Sequence, residues 1–252
     1  MHVEFVSSVF DDLLARGWLR TDHRLVAVAA GGNERDLFVR LGFTDALLTN
    51  LDAGEAHDHL APFEWQRRSA DHLGLPDRSV DWAVVIDGLH HCRSPHAALA
   101  EMYRVARVGV LAIEARDSLL TRLGVRLRLV SEYETEAVRD HGGGSGGLDN
   151  GPVPNHVYRW TESEFRKTIR SADPTGPHVF RFLYGLNLPY EVAGWAGWGG
   201  RDAAMRLTGP ALRALTRIFP RLRNTIAMVA LRPAQRWPWL DEGADGLTFV
   251  DP

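Results

Sequence analysis

Between residues 25 and 113, short apolar runs alternate with stretches of helical periodicity. That alternation restricts the chain to an α/β architecture. Leu25–Ala30, Ala46–Thr49, Phe63–Gln66, Trp82–Ile86 and Val108–Ile113 read as strands. Glu34–Leu41, stopped by Gly42, and His96–Ala106 read as helices. Strands separated by helices pair in parallel through right-handed crossovers. Trp82–Ile86 is apolar throughout, so it is expected to be buried on both faces. Two further strands are expected at Phe180–Tyr184 and Thr225–Leu231. Thr161 with Glu164 three residues on forms a capping-box pattern for a helix to about Arg170.

The remaining segments are punctuation and additions. Phe5, Val6, Val9, Phe10, Leu13, Leu14 and Trp18 recur at helical spacing within residues 1–20. This helix is read either as a lid over a pocket or as a packing helix. Residues 141–155 carry six glycines with Pro152 and Pro154, the composition of a flexible loop. Residues 185–223 form an insert with Trp195, Trp198, Arg206, Arg213 and Arg217. Gly209-Pro210 and Pro220 argue against one long continuous helix there. The expected organisation is a single domain over 1–233 and an irregular tail over 234–252.

Apolar residues make up 45% of the chain and charged residues 24%, enough for a core and unlike a disordered chain. The formal net charge of −3 argues against nucleic acid as partner. Cys92 is the single cysteine, which excludes an intrachain disulfide and suits a reducing compartment. The opening residues lack the order of a signal peptide, and no apolar run reaches 18 residues. A cytoplasmic protein without a membrane span is expected.

Two stretches carry the chemistry. The first is Val28-Ala29-Ala30-Gly31-Gly32-Asn33, a turn between a strand and a helix, where small residues let a ligand approach the backbone. It is not the GxGxxG of a dinucleotide site, which argues against a nicotinamide-dependent oxidoreductase. The second runs Ser69-Ala70-Asp71-His72-Leu73-Gly74-Leu75-Pro76-Asp77-Arg78-Ser79-Val80-Asp81 into a buried strand, then Leu89-His90-His91 and Ala98–Ala106. In these residues the chain resembles the class I S-adenosylmethionine-dependent methyltransferases, in particular the subgroup reading roughly DAExLPFPDGSFD…VLHH…ALxExxRVL. The resemblance covers about Leu25–Glu114 and extends beyond that only by topology. It implies a Rossmann-like fold: a seven-stranded, mostly parallel sheet with helices on both faces and an inserted cap between the last two strands.

The resemblance also assigns positions. The glycine turn under the methionine part of the cofactor maps to Ala29, Gly31 and Asn33. Three departures stand out: Ala27 where the family has an acid, Ala29 for its first glycine, and Asn33 for its last. Alanine at 29 is a small change if φ is negative there, and asparagine at 33 suits a positive φ. The acid that binds the ribose hydroxyls maps to Asn50 or Asp52. The adenine-facing turn maps to Ala70 and Asp71, and Val85 lines the cofactor pocket. Asp87 points to where methyl acceptors sit.

His90, His91 and Cys92 are adjacent, and zinc motifs space their ligands apart, so no metal is expected. Histidine suits a general base near neutral pH. His91 is the preferred base, beside the reading of a helix-start histidine bonded to backbone. Glu114, Arg116, Asp117, Tyr133, Glu134 and the Pro154–Glu162 stretch form a second polar and aromatic cluster. Its position after a glycine loop makes His156 and Tyr158 further candidates for the acceptor site.

The function expected is methyl transfer from S-adenosylmethionine to a small-molecule acceptor, such as a natural-product or glycan intermediate, through an O, N or C nucleophile. The alternative is the same fold binding the cofactor without methyl transfer, as a non-catalytic partner or in another reaction. For the insert, a cap ranks ahead of a homodimer face, and a membrane-surface role comes last.

Overall fold

The structure, a computed structural model, describes residues 3–51, 57–188, 200–243 and 246–251. Its first helix, α1 (Val3–Ala15), buries Val6, Val9, Phe10 and Leu13 against the sheet. The packing reading of this helix therefore holds. Next come β1 (Leu25–Val28), α2 (Gly32–Leu41), β2 (Ala46–Asn50), β3 (Glu64–Arg67), β4 (Val80–Ile86), α3 (Pro95–Val105) and β5 (Ala106–Ala115). After these lie α4 (Leu119–Arg126), α5 (Thr135–Asp140), α6 (Glu162–Ala172), β6 (Val179–Gly185), α7 (Gly200–Ile218) and β7 (Thr225–Leu231).

The seven strands form one sheet in the order β3-β2-β1-β4-β5-β7-β6. Pairing is parallel from β3 to β5, whereas β7 runs antiparallel to both β5 and β6. This is the mostly parallel seven-stranded sheet expected.

Alternation along β4 accounts for the two-sided core. Ala83 and Val85 pack on one face, while Trp82, Val84 and Ile86 pack on the other. Every residue of β4 is buried, as a central parallel strand requires. Local signals fix the flanking helices. Ser94 caps α3 by accepting from the Ala97 N–H, with Pro95 in the first turn. The capping box of α6 is formed, with Glu164 N–H donating to Thr161 Oγ1 at 3.2 Å and Thr161 N–H to Glu164 Oε2 at 2.8 Å.

Two expectations fail. Helix α7 runs for 19 residues with Pro210 inside it, so the proline does not end the helix. Proline removes a single N–H donor, and the rest of a helix this long still carries its own bonds. Trp195 and Trp198 lie outside the described residues. The tail is also ordered. β8 (Leu240–Gly243) and β9 (Gly246–Phe249) pair antiparallel, and the Trp237 and Trp239 rings stack at 4.9 Å.

β1 is followed by a crossover to β2 on one side, while β4 lies on its other side. Diverging crossovers open a crevice at the carboxyl ends of β1 and β4, where ligands bind in such sheets.

Candidate active site

Both strands at this crevice end in a sharp turn. Ala29 follows β1 with φ 52°, and Asp87 follows β4 with φ 50°. The small-change argument for Ala29 required a negative φ and does not hold. Glycine is the residue free of penalty in the left-handed region. Ala29→Gly is expected to stabilise the protein by about 0.5–1 kcal/mol. It relieves about 1–2 kcal/mol of left-handed strain against about 0.4–1 kcal/mol of added chain entropy. A lower unfolding midpoint for this variant would contradict the strain reading.

Ala29 keeps its methyl because Gly88 has none. A Cβ at Gly88 would lie 2.8 Å from both Ala29 Cβ and Val85 Cγ2. Neither neighbour is the free end of a flexible side chain. Gly88→Ala is expected to cost about 1–3 kcal/mol by overpacking, read as a lowered midpoint in thermal unfolding.

Above these turns lies a cavity of about 350 Å³. It is lined by Ala29, Asn50, Ala70, Asp87, Gly88 and His91, and by Glu134 and Gly147 from the later segment. Ala29, Asn50, Ala70 and His91 were thus placed together by sequence. The other candidates lie elsewhere. Gly31 gives its N–H to Glu34 Oε2 at 2.8 Å, so that donor serves the helix start. Asn33 is an exposed residue of the first turn of α2 and does not take a positive φ. Val85 is buried beneath Gly88. Asp71 is exposed and accepts from Ser69 Oγ at 2.5 Å. Asp52 lies outside the described residues.

His156 and Tyr158 do not line the cavity. His156 is exposed beside Tyr133, with ring centroids 5.4 Å apart. The Tyr158 hydroxyl donates to Glu164 Oε1 at 2.9 Å, and the ring sits against Trp160. Burial and then Glu164 push its pKa up to about 12, so it stays protonated. Trp160 is fully buried in the core. Tyr158 and Trp160 are thus engaged in packing, and His156 is exposed away from the cavity lining.

The loop itself departs from the flexible reading. Gly147 N–H donates to Gly151 O at 2.9 Å, and Leu148 N–H to Val153 O at 2.7 Å. Asp149 accepts from Arg93 Nε at 2.9 Å. The loop is a tied wall of the cavity. None of the insert's described residues lines the cavity.

The chemistry centres on a chain of alternating charges. Glu114, at the end of β5, is wholly buried. Its Oε1 accepts the N–H groups of Gly88 at 2.9 Å and Leu89 at 2.7 Å. Its Oε2 lies 2.8 Å from Nδ1 of buried His90. The far nitrogen of His90, Nε2, lies 3.4 Å from Glu134 Oε2. His91 Nε2 lies 3.3 Å from the same oxygen. Asn155, buried just after the glycine loop, donates its Nδ2–H to Glu134 Oε2 at 3.2 Å. Sequence reasoning had grouped Glu114 and Glu134 but gave them no role. The spacing from the LHH motif to Glu134 carries no signal of its own, because the contact is tertiary.

Environment separates the two histidines. Burial pushes His90 down, but the carboxylates of Glu114 and Glu134 outweigh it and hold His90 protonated. Burial, followed by the charge on His90, lowers the pKa of His91 below its usual value. His91 is therefore neutral at pH 7 and carries a lone pair. Asp87 opens onto the cavity yet is ringed by protein. That burial, with the Glu114 charge next, pushes it up to about 6. Burial raises the Cys92 thiol to about 12, so it is not a nucleophile.

Residues 36–113 match the family model described as a methyltransferase domain. No curated protein matches the chain in sequence. In fold the chain is similar to a SAM-dependent methyltransferase from Archaeoglobus fulgidus. The two share 11% identity, with 91% of this chain and 94% of that one covered and a TM-score of 0.53. It is similar also to magnesium protoporphyrin IX methyltransferase from Synechocystis PCC 6803, solved with bound S-adenosylhomocysteine. Here identity is 15%, coverage 92% and 83%, and the TM-score 0.53. The residues present fit S-adenosylmethionine, the cofactor of such a domain. Ala29, Asn50 and Ala70 line one cavity at the strand ends, with backbone and small side chains leaving room beside Gly88. A methyltransferase-domain match over 36–113 thus lies within a seven-stranded sheet whose fold is similar to that of S-adenosylmethionine-dependent methyltransferases.

Proposed function

We propose that the acceptor is a small molecule carrying a hydroxyl or amine, and that His91 removes its proton as the methyl is transferred. The observation that carries this reading is that His91 lines the same cavity as Ala29, Asn50 and Ala70. Burial and the charge on His90, which lower its pKa, support it. S-adenosylmethionine supplies an electrophilic methyl group, so the protein's task is alignment and proton removal. Asn50 is held at the cavity edge, its Oδ1 accepting the Leu51 N–H at 2.7 Å and its Nδ2–H directed to Ala30 O at 3.4 Å. Glu134 faces His91 and steadies the positive charge that forms when the proton arrives. The tied loop shields the reacting groups from bulk water. A 350 Å³ cavity favours a compact acceptor or the reactive end of a larger one, such as a natural-product or glycan intermediate. The lone Cys92 suits a cytoplasmic setting.

Titration calorimetry with S-adenosylhomocysteine, followed by an acceptor screen, tests the reading. Micromolar binding with methyl transfer to a hydroxyl or amine supports it, and transfer only to carbon removes the base role. A second reading rests on the left-handed Ala29 and on Ala27, which places no carboxylate under the cofactor. In it the fold binds the cofactor without transferring methyl. Methyl transfer to any acceptor would sink that alternative.

A further inference from the structure

We propose that His90, His91 and Glu134 form a binding site for a divalent transition-metal ion at the acceptor end of the cavity, with zinc the best fit. One nitrogen from each histidine and one oxygen of Glu134 lie within 4.8 Å of one another. The two contacts to Glu134 Oε2, at 3.4 and 3.3 Å, are longer than a charge-assisted N–H···O bond of about 2.7–2.9 Å. They match another geometry. A tetrahedron with bonds of about 2.0–2.1 Å, as zinc makes to nitrogen and oxygen, has edges of about 3.3–3.4 Å.

Three adjacent residues such as His90, His91 and Cys92 do not readily surround one ion. The structure replaces the third neighbour, Cys92, by Glu134, 42 to 44 residues away in sequence. Two histidines and a carboxylate with a fourth position open is the donor set of catalytic zinc and of related N/O-ligated ions.

The surroundings also suit an ion. His90 bonds Glu114 through Nδ1, which leaves Nε2 to face Glu134, and an ion bound there would displace the Nε2 proton to solvent. A carboxylate behind a ligating histidine fixes its tautomer and raises its basicity. Asn155 holds Glu134 by donating to the same Oε2 oxygen. Both His91 and Glu134 line the cavity, so the open position faces the acceptor space. An ion there would take the lone pair of His91 and itself lower the pKa of a bound acceptor hydroxyl. In the metal-bound state the ion would take over from His91 the deprotonation proposed above. The site does not depend on methyl transfer, and its test uses neither cofactor nor acceptor.

The experiment is titration of the purified, chelator-treated protein with Zn²⁺ by calorimetry and with Co²⁺ by visible absorption. Circular dichroism checks the fold of each variant. The expected result is one ion per chain and an intense tetrahedral Co²⁺ spectrum. Both should be lost in His91→Ala and Glu134→Gln and kept in His72→Ala, an exposed histidine elsewhere. Glu114→Gln should weaken affinity by about 10–100-fold, the usual effect of removing a carboxylate behind a ligand. Absence of binding up to millimolar ion would overturn the proposal. So would binding that persists in both His91→Ala and Glu134→Gln. Metal binding without methyl transfer would leave this site standing while the proposed function falls, and the reverse pattern would separate them the other way.

Discussion

Replacing Glu114 by leucine is expected to lower the stability of the fold by about 3–5 kcal/mol, the usual cost of stranding one half of a buried ion pair. The carboxylate does three things at once. It accepts the N–H groups of Gly88 and Leu89, and it holds protonated His90. Leucine of similar size removes all three, leaving two donors and a charge in a dry environment. Glu114→Gln keeps an oxygen for the backbone donors and should lose less. Urea denaturation with circular dichroism reads both variants. An unfolding free energy for Glu114→Leu within about 1 kcal/mol of the parent, the scale of an ordinary substitution, would overturn the reading of Glu114 as the buried partner of these three groups.

The second large effect concerns rate. His91→Ala is expected to lower kcat by about a hundredfold to ten-thousandfold, the range for loss of a general base. Affinity for S-adenosylhomocysteine should not change, because the cofactor-mapped residues are Ala29, Asn50 and Ala70. The pH profile gives an independent reading. His91 must be unprotonated to act, and its pKa is shifted below 6.5 by burial and by the charge on His90. Activity should therefore hold at neutral pH and fall as pH drops through that lowered value. In His91→Ala this acidic limb should vanish from whatever rate remains. A variant that keeps both the rate and the limb would remove His91 from the mechanism.

The sheet was legible in the sequence because its strands are short, apolar and separated by capped helices. Trp82–Ile86 announced a two-sided buried strand by having no polar side. Thr161 and Glu164 announced a helix start because a capping box is local. The site was only half legible, and the division follows the same line. Ala29, Asn50 and Ala70 sit at strand ends, so a correct topology brings them together. Glu134 reaches the histidines only through the path of the chain after β5, which no local pattern encodes. Tyr158 misled because its surroundings look polar in one dimension, while in space its hydroxyl is taken by Glu164 and its ring by Trp160. The sign of φ at Ala29 was likewise hidden, since the neighbour that permits it, Gly88, lies 59 residues away.

The cavity is bounded by two kinds of chain. One side consists of sheet ends locked to β5 through Glu114, and the other is the segment 134–150, which belongs to no sheet. Descendants of this chain can therefore change their clientele by rewriting the second side while inheriting the first intact. Insertions between Ala137 and Asp149 would resize the doorway without disturbing the Glu114–His90 pair. Within that second side Glu134 is tied to the histidines, so the room for change lies after it.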